Sequence, residues 1–166
     1  MATDNGYIYC MSSSVLQNTY KIGMTKRSPK ERLYEANHST WVLTNFTCDI
    51  AKQVSNPGDK EWAVHKLLET YRINKNKEFF DAPLSKIRQA FKFVSGDEQS
   101  FVGHAFAKEF KGKMYAGYIK SYNAPLWRVN YDDGDREDLD YGDWKELIIG
   151  IKNGREFGKK KLTLRR

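Results

Sequence analysis

A run of small and polar residues, Ser95-Gly96-Asp97-Glu98-Gln99-Ser100, divides the chain into two stretches of different texture and so sets the architecture. Before it, strand-like and helix-like segments alternate. After it, short aromatic-rich runs are separated by turn-forming residues. The charge changes at the same place: residues 1–95 carry 14 basic and 9 acidic side chains, residues 96–150 carry 7 and 11, and residues 151–166 carry 7 and 1. A length of 166 residues accommodates two small domains. The expected organisation is a domain over 1–95, a linker over 96–101, a second domain over 102–150 and a basic tail over 151–166.

Several classes are excluded by composition. No apolar run approaches the ~20 residues that a bilayer-spanning helix needs. Cys10 and Cys48, the two cysteines, lie in apolar alternation and cannot build a disulfide scaffold or a four-cysteine zinc site. The opening residues Met-Ala-Thr-Asp-Asn-Gly lack the basic and apolar regions of a secretory signal, so an intracellular protein is expected. The net charge of +7 points to a polyanionic partner, with no membrane role implied.

In the first stretch, Gly6 to Met11 and Thr19 to Gly23 read as strands joined by a turn. Ser28-Pro29-Lys30-Glu31 has the form of a capping box with proline at the first helical position, which opens a helix to about Asn37. Residues 42–54 read as strand, Pro57-Gly58-Asp59 as a break, and Lys60 to Arg72 as helix. Glu78-Phe79-Phe80 is a candidate short strand, and Pro83 opens a last helix with Leu84, Ile87, Phe91 and Val94 inward.

Tyr7 and Tyr9 are two apart on a strand and share a face. Arg32 sits one turn into a helix, where the dipole favours acidic groups. At about 100° per residue, Glu61, His65 and Arg72 align on one flank of the apolar stripe formed by Ala63, Val64, Leu67, Leu68 and Tyr71. Each feature alone also fits an ordinary strand, a solvated arginine or an i, i+4 pair.

Taken in order, these pieces resemble the GIY-YIG nuclease superfamily, in its phage and viral branch. The carriers are Gly6-Tyr-Ile-Tyr-Cys-Met11, Lys21-Ile-Gly-Met-Thr25, Arg32, Glu61 with His65, Leu68, Tyr71-Arg72 and Glu78-Phe79-Phe80, over about residues 6–83. The resemblance implies a small three-stranded sheet with flanking helices and an endonuclease that hydrolyses DNA phosphodiesters. It implies Glu61 as ligand of one Mg²⁺ or Mn²⁺, Tyr9 as base on the attacking water, and Arg32 on the scissile phosphate. A phenol near pKa ~10 needs a neighbouring cation to serve as a base, and Lys21 is a candidate. His38 and His65 are candidates to shuttle a proton or orient the nucleophile, and as lone histidines they read equally well as structural. Lysine replaces the tyrosine of "YIG", and Glu78 stands near the place of a family asparagine. A nuclease-derived binding domain without turnover stays open.

In the second stretch, Lys111-Gly112-Lys113, Asn123-Ala124-Pro125 and Asp132-Asp133-Gly134-Asp135 separate strand-length runs, and Asp-Gly is a strong hairpin signal. Phe110, Tyr115-Ala-Gly117, Trp127-Arg-Val-Asn-Tyr131-Asp-Asp-Gly-Asp135-Arg-Glu-Asp-Leu139 and Glu146-Leu147 resemble a Tudor-like domain of the plant type. The implied fold is a small all-β barrel, which makes the whole chain α+β followed by all-β. The implied site is an aromatic cage of Phe110, Tyr115 and Tyr131 with Asp133 at its edge, for a methylated lysine or arginine of a histone or other basic peptide. Glu137 occupies a position where some readers carry another aromatic. A different peptide or nucleic-acid contact and a purely structural role remain alternatives. For residues 152–166, a frayed solvated end, a phosphate grip and a nuclear address are all open. The combination implies a eukaryotic host or a virus of one, with nucleus and cytoplasm unresolved. The leading expectation is a metal-dependent endonuclease with a recognition module. The alternative is a non-cleaving nucleic-acid or chromatin-binding protein.

Overall fold

The computed structural model describes residues 4–39 and 45–164, with side chains through Lys161. The chain forms two compact units, Met1–Ser95 and Gly96–Arg166. No helix among the described residues is long and apolar enough to cross a membrane.

In the first unit, strands β1 (Asn5–Ser13), β2 (Thr19–Thr25), β3 (Phe46–Ser55) and β4 (Phe79–Asp81) form an antiparallel sheet ordered β3-β1-β2-β4. The expected three-stranded sheet therefore gains a fourth strand. Phe80 is the reason: its ring is fully buried, and burying it docks β4 along β2, with Tyr20 opposite Phe80 and Lys21 opposite Phe79. Residues 42–44, part of the expected third strand, lie outside the described residues.

Helix α1 (Pro29–Asn37) starts where its sequence signal places it. The Ser28 hydroxyl oxygen accepts from the Glu31 amide at 3.2 Å, and the Glu31 carboxylate accepts from the Ser28 amide at 2.9 Å. Helix α2 (Pro57–Leu67) departs from expectation at both ends. Pro57 begins the helix instead of breaking the chain, because a proline at the first helical position gives up no hydrogen bond. Its far end tightens into a 3₁₀ turn over Glu69–Tyr71. Helix α3 (Leu84–Ser95) buries Ile87, Ala90, Phe91 and Val94 along one stripe. Ile8, Cys10, Ile22, Val64, Leu68 and Phe80 complete this core, and both cysteines are free.

The second unit contains a four-stranded antiparallel meander, β5 (Ala105–Phe110), β6 (Lys113–Asn123), β7 (Leu126–Tyr131) and β8 (Arg136–Leu139), in sequential order. Lys111 and Gly112 both adopt positive φ, as a two-residue hairpin turn requires. The unit is not all-β: residues expected to end the barrel and form a tail join in one helix, α4 (Trp144–Leu164). Trp144, Leu147, Ile148 and Ile151 recur at helical spacing and are buried, which anchors the helix so that it continues into the lysine-rich stretch. Residues 96–101 are likewise not an open linker. They carry a 3₁₀ turn, Glu98–Phe101, whose buried Phe101 ring meets Trp127 and Trp144 edge-on at 6.0 and 5.6 Å. The Trp127 indole N–H donates to the Glu98 carbonyl at 2.9 Å.

Helix α4 packs on β5 through glycines. A Cβ on Gly154 would stand 2.5 Å from the Ala105 carbonyl carbon and 2.6 Å from the Phe106 nitrogen, backbone atoms that cannot turn aside. Gly158, one turn on, has no such neighbour among the described residues. Gly154→Val is expected to destabilise the protein by about 1–3 kcal/mol through overpacking. Gly158→Ala is expected to be neutral or to stabilise by up to ~1 kcal/mol through helix propensity. Denaturant titration of the two variants checks this, and equal midpoints would contradict the packing assigned to Gly154.

Candidate functional site

The first unit concentrates its polar buried chemistry where β1, β2, α1 and α2 meet. Tyr9 pairs across the sheet with Gly23 and is 2% exposed. A Cβ at residue 23 would lie 2.5 Å from Tyr9 Oη, and one at residue 6 would lie 2.6 Å from the Thr25 carbonyl oxygen. Two of the motif glycines thus exist for close approach: Gly23 lets the phenol cross the neighbouring strand, and Gly6 admits Thr25 and Pro57.

Arg32, carried by α1, donates from Nε to Tyr9 Oη at 3.2 Å. Burial pushes the Tyr9 phenol above its ordinary range, and the Arg32 guanidinium pulls against that rise. Arg32, not Lys21, is therefore the cation in contact with the phenol. Lys21 on β2 points to Glu78 at 3.8 Å. Burial, aided by Arg32, holds its ammonium below the usual lysine range, against Glu78 and Glu61.

Glu61, in the second turn of α2, has a carboxyl pushed up to about 7 by burial and by Glu78, while Arg72, Lys21 and a hydrogen bond from the Met24 amide oppose the rise. His65, one turn further along α2, donates from Nε2 to the Ile22 carbonyl at 2.8 Å and tilts against Phe80 with ring centres 5.0 Å apart. That bond fixes the tautomer, so Nδ1 is the free acceptor, and burial keeps the imidazole below its usual range. His38 is not brought to this cluster by any of its hydrogen bonds or ring contacts: it caps α1, donates from Nδ1 to the Tyr34 carbonyl at 2.7 Å, and stacks on the Tyr34 ring at 3.8 Å.

Sequence reasoning left Glu78 and Arg72 out of the candidate site. The signal for Glu78 lies in the strand register, since the Lys21–Phe79 pair sets Glu78 beside Lys21. Arg72 donates from Nε to the Lys77 carbonyl at 2.7 Å and lies over the Phe80 ring, where its charge also reaches Glu61.

The second unit holds a cleft of about 410 Å³ lined by Lys108, Phe110, Tyr115, Tyr131, Asp133, Asp135 and Glu137. All four expected cage residues, Phe110, Tyr115, Tyr131 and Asp133, are among them. Phe110 ends β5, Tyr115 lies on β6 opposite Lys108, and Tyr131 ends β7 with its ring edge-on to Phe106 at 6.2 Å. Glu137 joins two of these walls: one carboxylate oxygen accepts from the Tyr131 hydroxyl and the other from Lys108 Nζ at 3.0 Å. Burial and Glu137 together push the Tyr131 phenol far up, so it stays protonated. Burial opposes the Lys108 charge, but bonds to Glu146 and Glu137 outweigh it and lift the ammonium above its usual range. Lys108, Asp135 and Glu137 were absent from the expected site. Only the β5–β6 register, which pairs Lys108 with Tyr115 across six intervening residues, reveals Lys108.

The family and sequence comparisons agree with this division. The T5orf172 domain, a phage-type nuclease-like domain, matches residues 6–95, and the PTM/DIR17-like Tudor domain matches residues 103–148. A DDT domain-containing protein PTM of Arabidopsis thaliana is 43% identical over 51 residues, 30% of this chain and 3% of that relative. Dirigent protein 17 of the same plant is 27% identical over 73 residues, 43% of this chain and 27% of the relative. The chain thus spans a small part of the length of either curated relative. No solved structure gives a significant match. With the nuclease-like match covering more than half of the sequence, the chain belongs to the T5orf172 domain family and carries a Tudor-like domain after it.

Proposed function

We propose that the first unit is a GIY-YIG-type, metal-dependent DNA endonuclease and that the second holds a methylated lysine or arginine side chain. The observation that carries the first reading is the gathering of Tyr9, Lys21, Arg32 and Glu61 from four elements into one electrostatic cluster. Two cations and a buried phenol in one place suit a phosphodiester, whose hydrolysis builds negative charge on the phosphoryl oxygens.

The donor set fits a hard divalent ion. The ionisation of Glu61 is opposed by burial and by Glu78, and a cation at Glu61 relieves both. No group of three acidic, histidine or cysteine side chains converges among the described residues, so Mg²⁺ or Mn²⁺ held by Glu61 would keep most of its waters. When bound, such an ion neutralises phosphate charge and acidifies water. Arg32 orients Tyr9 through Nε and, with Lys21, offers positive charge to the phosphate. Tyr9 Oη, held by Arg32, positions the attacking water; where added positive charge lowers the phenol enough for its own proton to leave to solvent, the phenolate is the base that takes the water's proton. His65, kept neutral by burial, offers Nδ1 as a second acceptor.

Nicking of supercoiled plasmid by the full chain should require Mg²⁺ or Mn²⁺, and Glu61→Ala and Arg32→Ala should each lower its rate by at least ~10²-fold. A wild-type protein that binds DNA but never cuts it would favour the non-cleaving reading, which the raised Tyr9 phenol also supports.

Glu61 gives a second, independent test in pH. Its folded value, about 7, lies above the ordinary 4.5, so the folded state holds the extra proton. Its contribution to stability is complete below the ordinary value and is lost as pH rises through the folded one. Without metal, the melting temperature of the wild type should fall from about pH 5 to about pH 8 more steeply than that of Glu61→Gln. Added Mg²⁺ should recover the wild type at the upper pH and leave the variant unchanged. Parallel slopes without metal would overturn the raised Glu61 carboxyl, and equal responses of the two proteins to Mg²⁺ would remove Glu61 from the ion's coordination.

The cleft reading rests on charge and shape together, with three aromatic walls and three carboxylates facing one space. The chain's own Lys111 and Lys113 ammonium groups already lie over Phe110 and Tyr115, at 5.3 and 5.1 Å from the ring centres. These faces attract cations, a contact worth up to ~2 kcal/mol when desolvated. Methylated histone peptides should bind the full chain, and Tyr115→Ala should weaken them about tenfold. Equal binding of methylated and unmethylated peptides would reject the methyl-specific reading.

A further inference from the structure

The carboxylates of the cleft are not equivalent. Both Glu137 oxygens are committed within the chain, Oε1 to the Tyr131 hydroxyl and Oε2 to Lys108, and Lys108 is shared with Glu146. Glu137 is in this way a fixed wall whose charge is already answered. Asp133 and Asp135 differ. Asp133 Oδ1 accepts from the Asp135 amide at 3.0 Å, and Asp135 Oδ1 accepts from the Arg136 amide at 2.8 Å. Each bond holds its carboxylate by one oxygen and leaves the other available. The turn beneath them is itself tied down: Gly134, at φ +93°, donates to the Tyr131 carbonyl at 3.1 Å, and the Tyr131 amide donates to the Asp135 carbonyl at 2.8 Å.

We propose that this cleft selects a cation that still carries an N–H, a mono- or dimethylammonium, over trimethylammonium, with Asp133 and Asp135 accepting that hydrogen. The inference rests on the reading of the cleft as a methyl-cation site and adds which methylation state it admits. A trimethylammonium interacts with aromatic faces and with net charge, but it has no hydrogen to donate. Glu137, as a lining carboxylate, gives the trimethylated cation no further aromatic face in compensation. A dimethylammonium keeps one directed, charge-assisted hydrogen bond while its methyl groups meet Phe110, Tyr115 and Tyr131. An unmethylated ammonium donates as well, but it is more strongly hydrated and covers less of the aromatic walls.

The test is calorimetric titration of the full chain with one histone-derived lysine peptide in its un-, mono-, di- and trimethylated forms. The mono- and dimethylated peptides should bind about five- to tenfold more tightly than the trimethylated one, the value of one charge-assisted hydrogen bond discounted for exposure. The double variant Asp133→Asn, Asp135→Asn, checked for an unchanged melting temperature, should bind all methylated forms alike. Glu137→Gln should retain the preference. Trimethyllysine binding as tightly as dimethyllysine, or a preference that survives the double substitution, would overturn the proposal. Equal binding of all four forms would leave a basic-peptide site and reject this selectivity. Binding of none would remove the methyl-cation reading itself, and this inference with it.

Discussion

Tyr9 lies across the backbone of Gly23, and a single methyl group there would stand 2.5 Å from its hydroxyl oxygen. This close approach sets the rest of the first site. With the phenol crossing β2, Arg32 reaches it from α1, while Glu78 and Glu61 share its field and Lys21 pairs with Glu78. Burial is the dominant effect on Tyr9, Glu61 and Lys21. It favours the neutral forms of Tyr9, Glu61 and Lys21 together, so the site without a ligand suppresses charge that a phosphate and a cation would restore.

The second unit is organised differently. Around its cleft, side-chain hydrogen bonds between charged and polar groups supply the geometry. Tyr131, Glu137, Lys108 and Glu146 form a chain that ties the ends of β7 and β8 to β5 and to the first turn of α4. The aromatic wall at Tyr131 is thereby positioned from two sides, by this chain and by Phe106.

Local signals were the legible part of the sequence. The Ser28–Glu31 capping box, the Lys111-Gly112 and Asp-Gly turns and the inward stripe of α3 act over a few residues and could be read directly. So was the stripe that brings Glu61 and His65 to one flank of α2, although the helix begins at Pro57. What escaped depends on pairing between distant segments. Glu78 and Lys108 reach their sites through strand register, and Arg32 takes the place expected of Lys21 beside Tyr9 through a bond between residues 23 positions apart. The histidine His38 looked like its neighbour in chemistry, yet a helix cap turned it back on Tyr34. Helix α4 was hidden by its own charge, since the apolar anchors end at Ile151 while the lysines continue beyond them.

The glycine contact between α4 and β5 bears on where the second module ends. The recognisable Tudor-like signature runs over 103–148, but Phe101 lies before it, and Ile151 and Gly154 lie beyond it. A fragment trimmed to the signature would sever α4 after its first turn and strip an aromatic partner from both Trp127 and Trp144. The compact unit is therefore longer than the matched signature at both ends. The basic stretch that resembles an appended tail is, through its first turns, structural material of the module that precedes it.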